Sequence, residues 1–215
     1  MSGITLQQAI TPSRAAVLSA TSSSRSTPAK GKKHLKLDEF DADGNVKLPD
    51  YVSPPPKDSR EKREWDRMSS RMEGFHSYFR MAFKQLFELS DGSFEKRGLS
   101  VREFMSVASD FLHHLTFHHG IEEQHIFPVL AQRMPQFRIE HQEEHDAIHD
   151  GMSKLESLIS RVTSDPSTYS PKEFQENLAS WGPLLFYHLD AEVKTLKSDV
   201  LRRYYTLEEV KRLPM

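Results

Sequence analysis

The sequence has no cysteine among its 215 residues. Disulfides, thiolate chemistry and cysteine-ligated zinc are therefore excluded, and any metal ion must be held by histidine, aspartate or glutamate. No apolar run approaches the ~18 to 20 residues that a membrane span requires, and no signal-peptide core is visible. The formal net charge is only −2, which gives no case for nucleic acid as a partner. Composition therefore favours a soluble cytoplasmic protein that binds neither nucleic acid nor a membrane.

Acidic residues are missing from one end of the chain. Residues 1–37 are rich in Ser, Thr and Ala and contain six basic residues but no acid. This composition is typical of a disordered tail, and the alternative is a mitochondrial transit peptide, which would place the protein in mitochondria. Together with the proline-rich linker SPPPKD at 53–58, it predicts that residues 1–57 form a disordered basic tail and linker.

Alternation with period two is also missing, and from residue 58 onward apolar residues recur at intervals of three and four instead. Four such segments are separated by turn signals: from 58 to SDGS at 90–93, from Ser100 to Pro128, from Pro135 to the break at 163–171, and from Ser170 toward Leu201. Glu103 follows Ser100 as a capping box, Pro171 follows a capping Ser170, and Gly182-Pro183 is expected to kink the fourth segment. The pattern predicts an all-α fold, an antiparallel up-down four-helix bundle over 58–205, with a short C-terminal helix or tail at 206–215.

Histidine, by contrast, is concentrated. The stretch FLHHLTFHHGIEEQHIFP at 111–128 contains five of the eleven histidines. Residues four apart lie on one face of a helix, close enough to hold one ion together. Each predicted helix offers at least one candidate metal ligand. The first helix offers a single histidine, and each of the other three offers a pair four residues apart: His76; His118 and Glu122; His141 and His145; His188 and Glu192. On the second helix His119 and Glu123 repeat the pair one residue later, but the first register is preferred because Leu115, Glu122 and Val129 then fall near one face.

Five imidazoles and two carboxylates exceed the four ligands of a single zinc ion and suit two metal ions side by side. Nitrogen combined with hard oxygen favours iron or manganese over calcium, which prefers oxygen alone. Burial of these groups without a metal would be costly, because unpaired polar groups lose their solvation. The residues themselves therefore predict a buried metal site shared by the four helices.

These motifs resemble the hemerythrin-like family with its HHE cation-binding domain, over roughly residues 60–205. HHGIEEQHIFPVL is similar to the signature of the second helix, HQEEHDAIH to the HxxxH of the third, FYHLDAEV to the fourth, and EGFHSYF to the first. The resemblance implies a four-helix bundle that holds an oxo- or hydroxo-bridged pair of iron ions. It implies five terminal nitrogen ligands and two bridging carboxylates: His76, His118, His141, His145 and His188, with Glu122 and Glu192. Oxygen-carrying members place an Asp five residues after the last histidine, where this chain has Val193; the Glu at four is also seen in regulatory members.

The family resemblance implies a non-haem di-iron protein that binds or senses O2, NO or peroxide, or that buffers iron. Iron is favoured over zinc and manganese as the resident metal. The alternative is a di-iron oxidoreductase with peroxidase, NO reductase or oxygenase activity. The five-to-two ratio of histidine to carboxylate favours reversible binding over an enzyme, and no separate catalytic constellation is present. An apolar lining is expected from six side chains: Phe79, Phe83, Phe111, Phe117, Ile121 and Ile148.

Overall fold

The computed structural model describes residues 5–7 and 52–215. Of the predicted basic tail and linker, only residues 5–7 and 52–57 are therefore described, and the remainder lies outside the described residues. In the described ranges the chain is helical and contains no strand, as the absence of period-two alternation predicts. The all-α prediction is confirmed for this part of the chain.

Four long helices and several short ones follow the linker. In chain order they are α1 (Ser59–Trp65), α2 (Arg67–Leu89), α3 (Val101–Ile121), α4 (Phe127–Leu130), α5 (Glu140–Ser164), α6 (Pro171–Thr195), α7 (Ser198–Leu201) and α8 (Leu207–Val210). A π-helical turn at Glu122–Ile126 joins α3 to α4. The four predicted segments correspond to the four long helices, α2, α3, α5 and α6.

The capped helix starts that the sequence predicted at Ser100 and Ser170 are confirmed. Ser100 Oγ accepts a hydrogen bond from the Glu103 backbone N–H at 3.3 Å, and the Glu103 carboxylate accepts one from the Ser100 backbone N–H at 2.7 Å. Ser170 caps α6 by accepting from the backbone N–H of Glu173 at 3.3 Å, with Pro171 as the first helical residue. Each cap satisfies backbone donors that the first helical turn leaves without a partner.

One helix start differs from the prediction. The third long helix begins at Glu140, because Pro135–Phe137 forms only a 3-10 turn and the chain leaves helical geometry at Ile139 (φ −128°, ψ −71°). The buried ring of Phe137 packs on Phe127 in this connection, with 5.3 Å between ring centroids. The fourth helix runs without interruption from Pro171 to Thr195 with Pro183 inside it, and the kink expected at Gly182-Pro183 stays a prediction.

The four long helices pack in a ring in which each contacts two neighbours. α5 packs against α3 and α6, and α2 packs against the same two helices from the other side. The buried apolar side chains form two separate clusters, one containing Phe79, Leu115, Ile148 and Leu189, the other containing Met72, Ile126, Phe137 and Leu196. Along each long helix and its flanking turn, the predicted metal-binding residues lie between a member of the first cluster and a member of the second. The fold therefore places a polar layer between two apolar layers.

Candidate metal centre

Glu122, at the start of the π turn, lies in the middle of the polar layer and is fully buried. Its Oε1 is 3.0 Å from Nε2 of His118 and 4.0 Å from Nε2 of His76. Its Oε2 is 3.4 Å from Nε2 of His145. The two oxygens of one carboxylate thus face imidazoles from different helices.

Glu192 of α6 provides the second buried carboxylate. Its Oε2 lies 3.4 Å from Nε2 of His76 and 3.8 Å from Nε2 of His188. Donor atoms fall into two groups that share Glu122 and whose atoms lie within 4.8 Å of one another: His76, His118 and Glu122; His119, Glu122, His145 and His188. The structure therefore brings together six of the seven residues that the sequence singled out.

Three histidines are held by hydrogen bonds on the side facing away from the centre. Nδ1–H of His76 donates to the Leu189 carbonyl, that of His145 to Glu123, and that of His188 to Glu144, each at 2.8 Å. With the proton on Nδ1, the lone pair of Nε2 points into the centre, as it does in histidines that bind metal. Nε2 of His145 and Nε2 of His188 are only 3.1 Å apart. Two lone pairs at that distance repel one another, and a shared cation removes the repulsion.

The charge states match this arrangement. Burial lowers the pKa of His118 to about 3 and holds the pKa values of His119 and His145 well below their ordinary value. These imidazoles are therefore neutral at physiological pH, which is the form that coordinates metal. Burial, together with the neighbouring carboxylate of Glu192, raises the pKa of Glu122 well above its usual range.

Many polar atoms of the centre make no hydrogen bond to any described residue. They are Nε2 of His76 and His118, both ring nitrogens of His119, and both carboxylate oxygens of Glu122 and Glu192. Buried polar groups without partners cost roughly 1–3 kcal/mol each, more when charged, so such a cluster requires a counterpart. Neutral imidazole nitrogens and carboxylate oxygens around one point are a donor set for a divalent or trivalent cation. The residues fit the metal pair that the sequence motifs imply.

His141, the seventh predicted ligand, lies at the edge of the centre. Its Nδ1 donates to Glu144 at 3.0 Å and its Nε2 to the Thr195 hydroxyl at 3.3 Å, while that hydroxyl donates to the Ala191 carbonyl. Burial lowers the pKa of His141, but the bond to Glu144 outweighs it, so the net shift is upward. In this arrangement both ring nitrogens carry protons, and His141 would have to release Thr195 or Glu144 before it could bind a metal.

His119 was not selected from the sequence as a ligand, yet it is fully buried in the centre. Its ring stacks on that of His145, with centroids 4.0 Å apart, and approaches His188 edge-on at 5.7 Å. The sequence feature that could have identified it is the spacing of His119 and Glu123, which repeats the i,i+4 pair one residue later. Glu123 itself, half-buried, supports His145 from outside and lies 3.4 Å from Nε2 of His149, whereas Glu122 points inward.

The π turn accounts for part of this geometry. A π turn accommodates one more residue than an α-helical turn and is frequently found at functional sites. The π turn begins three residues after His119, so both His118 and His119 stay in α3 while Glu122 begins the wider turn. The wider turn ends at Ile126, and Phe127 then packs against the ring of His145 at 4.9 Å. The buried carboxylate of Glu122 therefore lies at the point where the helical backbone widens.

Comparisons with known proteins agree with the motif assignment. The family model for the hemerythrin HHE cation binding domain matches residues 67–199, which include all of α2, α3, α5 and α6. The dimeric xanthone biosynthesis cluster protein R11 of Cryptosporiopsis sp. (strain 8999) is 33% identical over 96 residues, which are 44% of this chain and 35% of that protein. The chain thus matches about a third of that curated relative's length. No solved structure gives a significant match. None of the helices in the described ranges is both long and apolar enough to span a bilayer.

Proposed function

This chain belongs to the hemerythrin HHE cation-binding family, and from that premise we propose that its centre holds two iron ions and binds or senses O2, NO or peroxide. The four long helices would form the antiparallel four-helix bundle that the sequence pattern predicts over 58–205. Iron is favoured over zinc and manganese because imidazole nitrogen and carboxylate oxygen are mixed in one site. A role in buffering iron uses the same centre.

The observation that supports two ions rather than one is the placement of Glu122. One of its oxygens faces His118 and His76, and the other faces His145. A carboxylate with separate nitrogen donors at each oxygen is arranged to bridge two cations. Glu192, in contact with both His76 and His188, spans the same two groups from the opposite helix.

The chain's own residues would hold and insulate the ions. Leu189, Glu123 and Glu144 fix the ring orientations of three histidines, so their Nε2 atoms need no rearrangement. The two apolar clusters keep bulk water from both faces of the polar layer. When bound, an iron pair supplies redox electrons and Lewis acidity at this position.

The test compares Glu122→Gln with Glu123→Gln, adjacent residues of which only the first points into the centre. Purified protein is analysed for iron per chain, and its near-ultraviolet spectrum is recorded before and after exposure of the reduced form to air. We expect two iron ions and an oxo-to-iron absorption in the wild type and in the Glu123 variant, because the amide oxygen of that variant can still accept the hydrogen bond from His145 Nδ1–H. The Glu122 variant should hold one ion or none. Two ions per chain in the Glu122 variant would contradict the bridging role.

A di-iron oxidoreductase is the second candidate. Its support is the name of the relative, which assigns that protein to a dimeric xanthone biosynthesis cluster. The two candidates differ after reduction and exposure to air or peroxide. A stable spectrum indicates binding or sensing, whereas rapid decay with stoichiometric and then repeated consumption of peroxide indicates an enzyme.

A further inference from the structure

An apolar cavity of about 470 Å³ opens between α2 and α3 and extends to the metal centre. Its walls are mainly aromatic and aliphatic: Met72, Phe75, Phe79, Phe117, Ile121 and Ile126. His118 and Glu122, two of the residues proposed to bind the ions, form its inner end. A molecule in the cavity would therefore reach the ring of His118, which is 9% exposed, whereas Glu122 behind it is fully covered.

The mouth of the cavity exposes large apolar side chains to solvent. Phe117 is 64% exposed, Phe75 is 56% exposed and Ile121 is 39% exposed, although all three occur in helices with well-filled apolar faces. The sequence predicted Phe117 and Ile121 as a lining of the centre, and the structure places them at this entrance instead. Contiguous exposed apolar surface around a pocket is typical of a binding site and unfavourable otherwise.

The polar groups of the cavity are few and lie at its two ends. His118 and Glu122 are at the inner end, and the Tyr78 hydroxyl and Nδ1 of His114, 3.0 Å apart, are at the rim. Among the described residues that line it, none is Lys, Arg or Asp. Between its two ends no side chain along these walls would compensate a charge, so the chemistry selects a molecule with a neutral, apolar body.

Size and depth indicate what kind of molecule fits. A dry apolar cavity of ~150 Å³ accommodates one benzene ring, and this cavity is about three times larger. The innermost walls, Met72 at 1% and Phe79 at 3% exposure, are too deep for a protein surface to reach. We propose that the cavity binds a neutral aromatic molecule of one to three rings beside the metal centre. The inference deepens the proposed function, on which it rests, because that molecule would be the substrate or regulator of the centre.

The first test measures binding of 1-naphthol, a neutral two-ring probe, to the metal-free full chain by calorimetry. Ile121→Trp fills the mouth of the cavity, and Val107→Trp is its matched control on the same helix, at a residue 37% exposed and outside the cavity. We expect the wild type and the Val107 variant to bind alike and the Ile121 variant to bind at least tenfold more weakly. Absence of binding to the wild type, or equal binding to all three proteins, overturns the proposal.

The second test locates the probe. Protein loaded with paramagnetic Mn²⁺ should accelerate the nuclear relaxation of 1-naphthol protons relative to protein loaded with diamagnetic Zn²⁺, and Ile121→Trp should abolish the difference. Binding without any acceleration would place the probe elsewhere and overturn the proposal. If the wild type forms a dimer that Ile121→Trp dissociates, and the wild type takes up no probe, the mouth is instead a contact between copies, which also overturns it.

The two proposals fail separately. A chain that retains no iron but binds 1-naphthol in the cavity refutes the di-iron centre and supports the aromatic site. A chain with two iron ions and no affinity for the probe does the reverse.

Discussion

Gly151 of α5 packs directly against Trp181 of α6, and replacing it by alanine tests the geometry of the centre from a distance. A Cβ at this position would lie 2.4 Å from Cγ and 2.6 Å from Cβ of Trp181. Because one of the contacted atoms is the Cβ of Trp181, a change of rotamer cannot relieve the overlap. Ordinary contact begins at 3.4 Å, so the two helices must separate by about 1 Å.

Two effects oppose each other in Gly151→Ala. Alanine stabilises a helix interior by ~1 kcal/mol relative to glycine, whereas overpacking a filled core costs ~1–3 kcal/mol. Since the backbone rather than a flexible side-chain end must move, we expect the upper part of that range and a net loss of about 2 kcal/mol. The separation also reaches the centre, because α5 carries His145 and α6 carries His188, whose Nε2 atoms lie 3.1 Å apart.

The assay is urea denaturation of the metal-free chain together with the rate at which a chelator removes iron. Gly74→Ala is the matched control, a helical glycine of α2 whose added Cβ meets nothing within 4 Å. The control should gain about 1 kcal/mol of stability and keep its metal, whereas Gly151→Ala should lose both stability and metal retention. A Gly151 variant as stable as the Gly74 variant, with unchanged metal release, would refute the close approach and the argument built on it.

Three further predictions concern the centre and its supports. His119→Phe keeps the ring stacked on His145 but removes both ring nitrogens, so a chelator should extract metal faster; an unchanged rate would make His119 a packing residue only. Because the pKa of Glu122 is raised in the metal-free chain, metal binding should displace its proton, and metal affinity should fall as pH falls. Calorimetry in buffers of different ionisation enthalpy should then give a heat of metal binding that depends on the buffer. Identical heats in all buffers would contradict the raised pKa. Ser100→Ala removes the capping box of α3 and should cost ~1 kcal/mol in chemical denaturation, with the exposed Ser157→Ala as a control that should change little.

The sequence predicted the main helices because their signals are local. Apolar spacing places Met68, Met72 and Phe83 on one buried face, and the caps at Ser100 and Ser170 depend on residues within one turn. The i,i+4 pairs likewise require only helix geometry, which explains why His118 and Glu122 come out on the same inner side. Six predicted ligands converge for this reason, although their identity as ligands stays a prediction.

Contacts between helices were harder to predict. Glu144 of α5 accepts a hydrogen bond from His188 of α6, and the Thr195 hydroxyl of α6 accepts one from His141 of α5. Both bonds join residues that are far apart in the sequence, so no local spacing reveals them. The π turn at Glu122–Ile126 also leaves no periodic signal, because a single inserted residue shifts the register only once. Phe75 falls on the apolar stripe of α2 but is 56% exposed, since the space beside it is the cavity rather than a neighbouring helix.

The two apolar clusters have a consequence for how cooperatively the chain unfolds. They are separated by a layer of histidines and carboxylates, in which several buried polar atoms make no hydrogen bond to any described residue. Cations bound in this layer would link the two clusters, which are otherwise connected mainly by the continuous helices. In calorimetry the metal-bound protein should therefore unfold in a single transition, and the metal-free protein should unfold in two. The cluster that contains Trp65 should unfold first, because it is the smaller of the two.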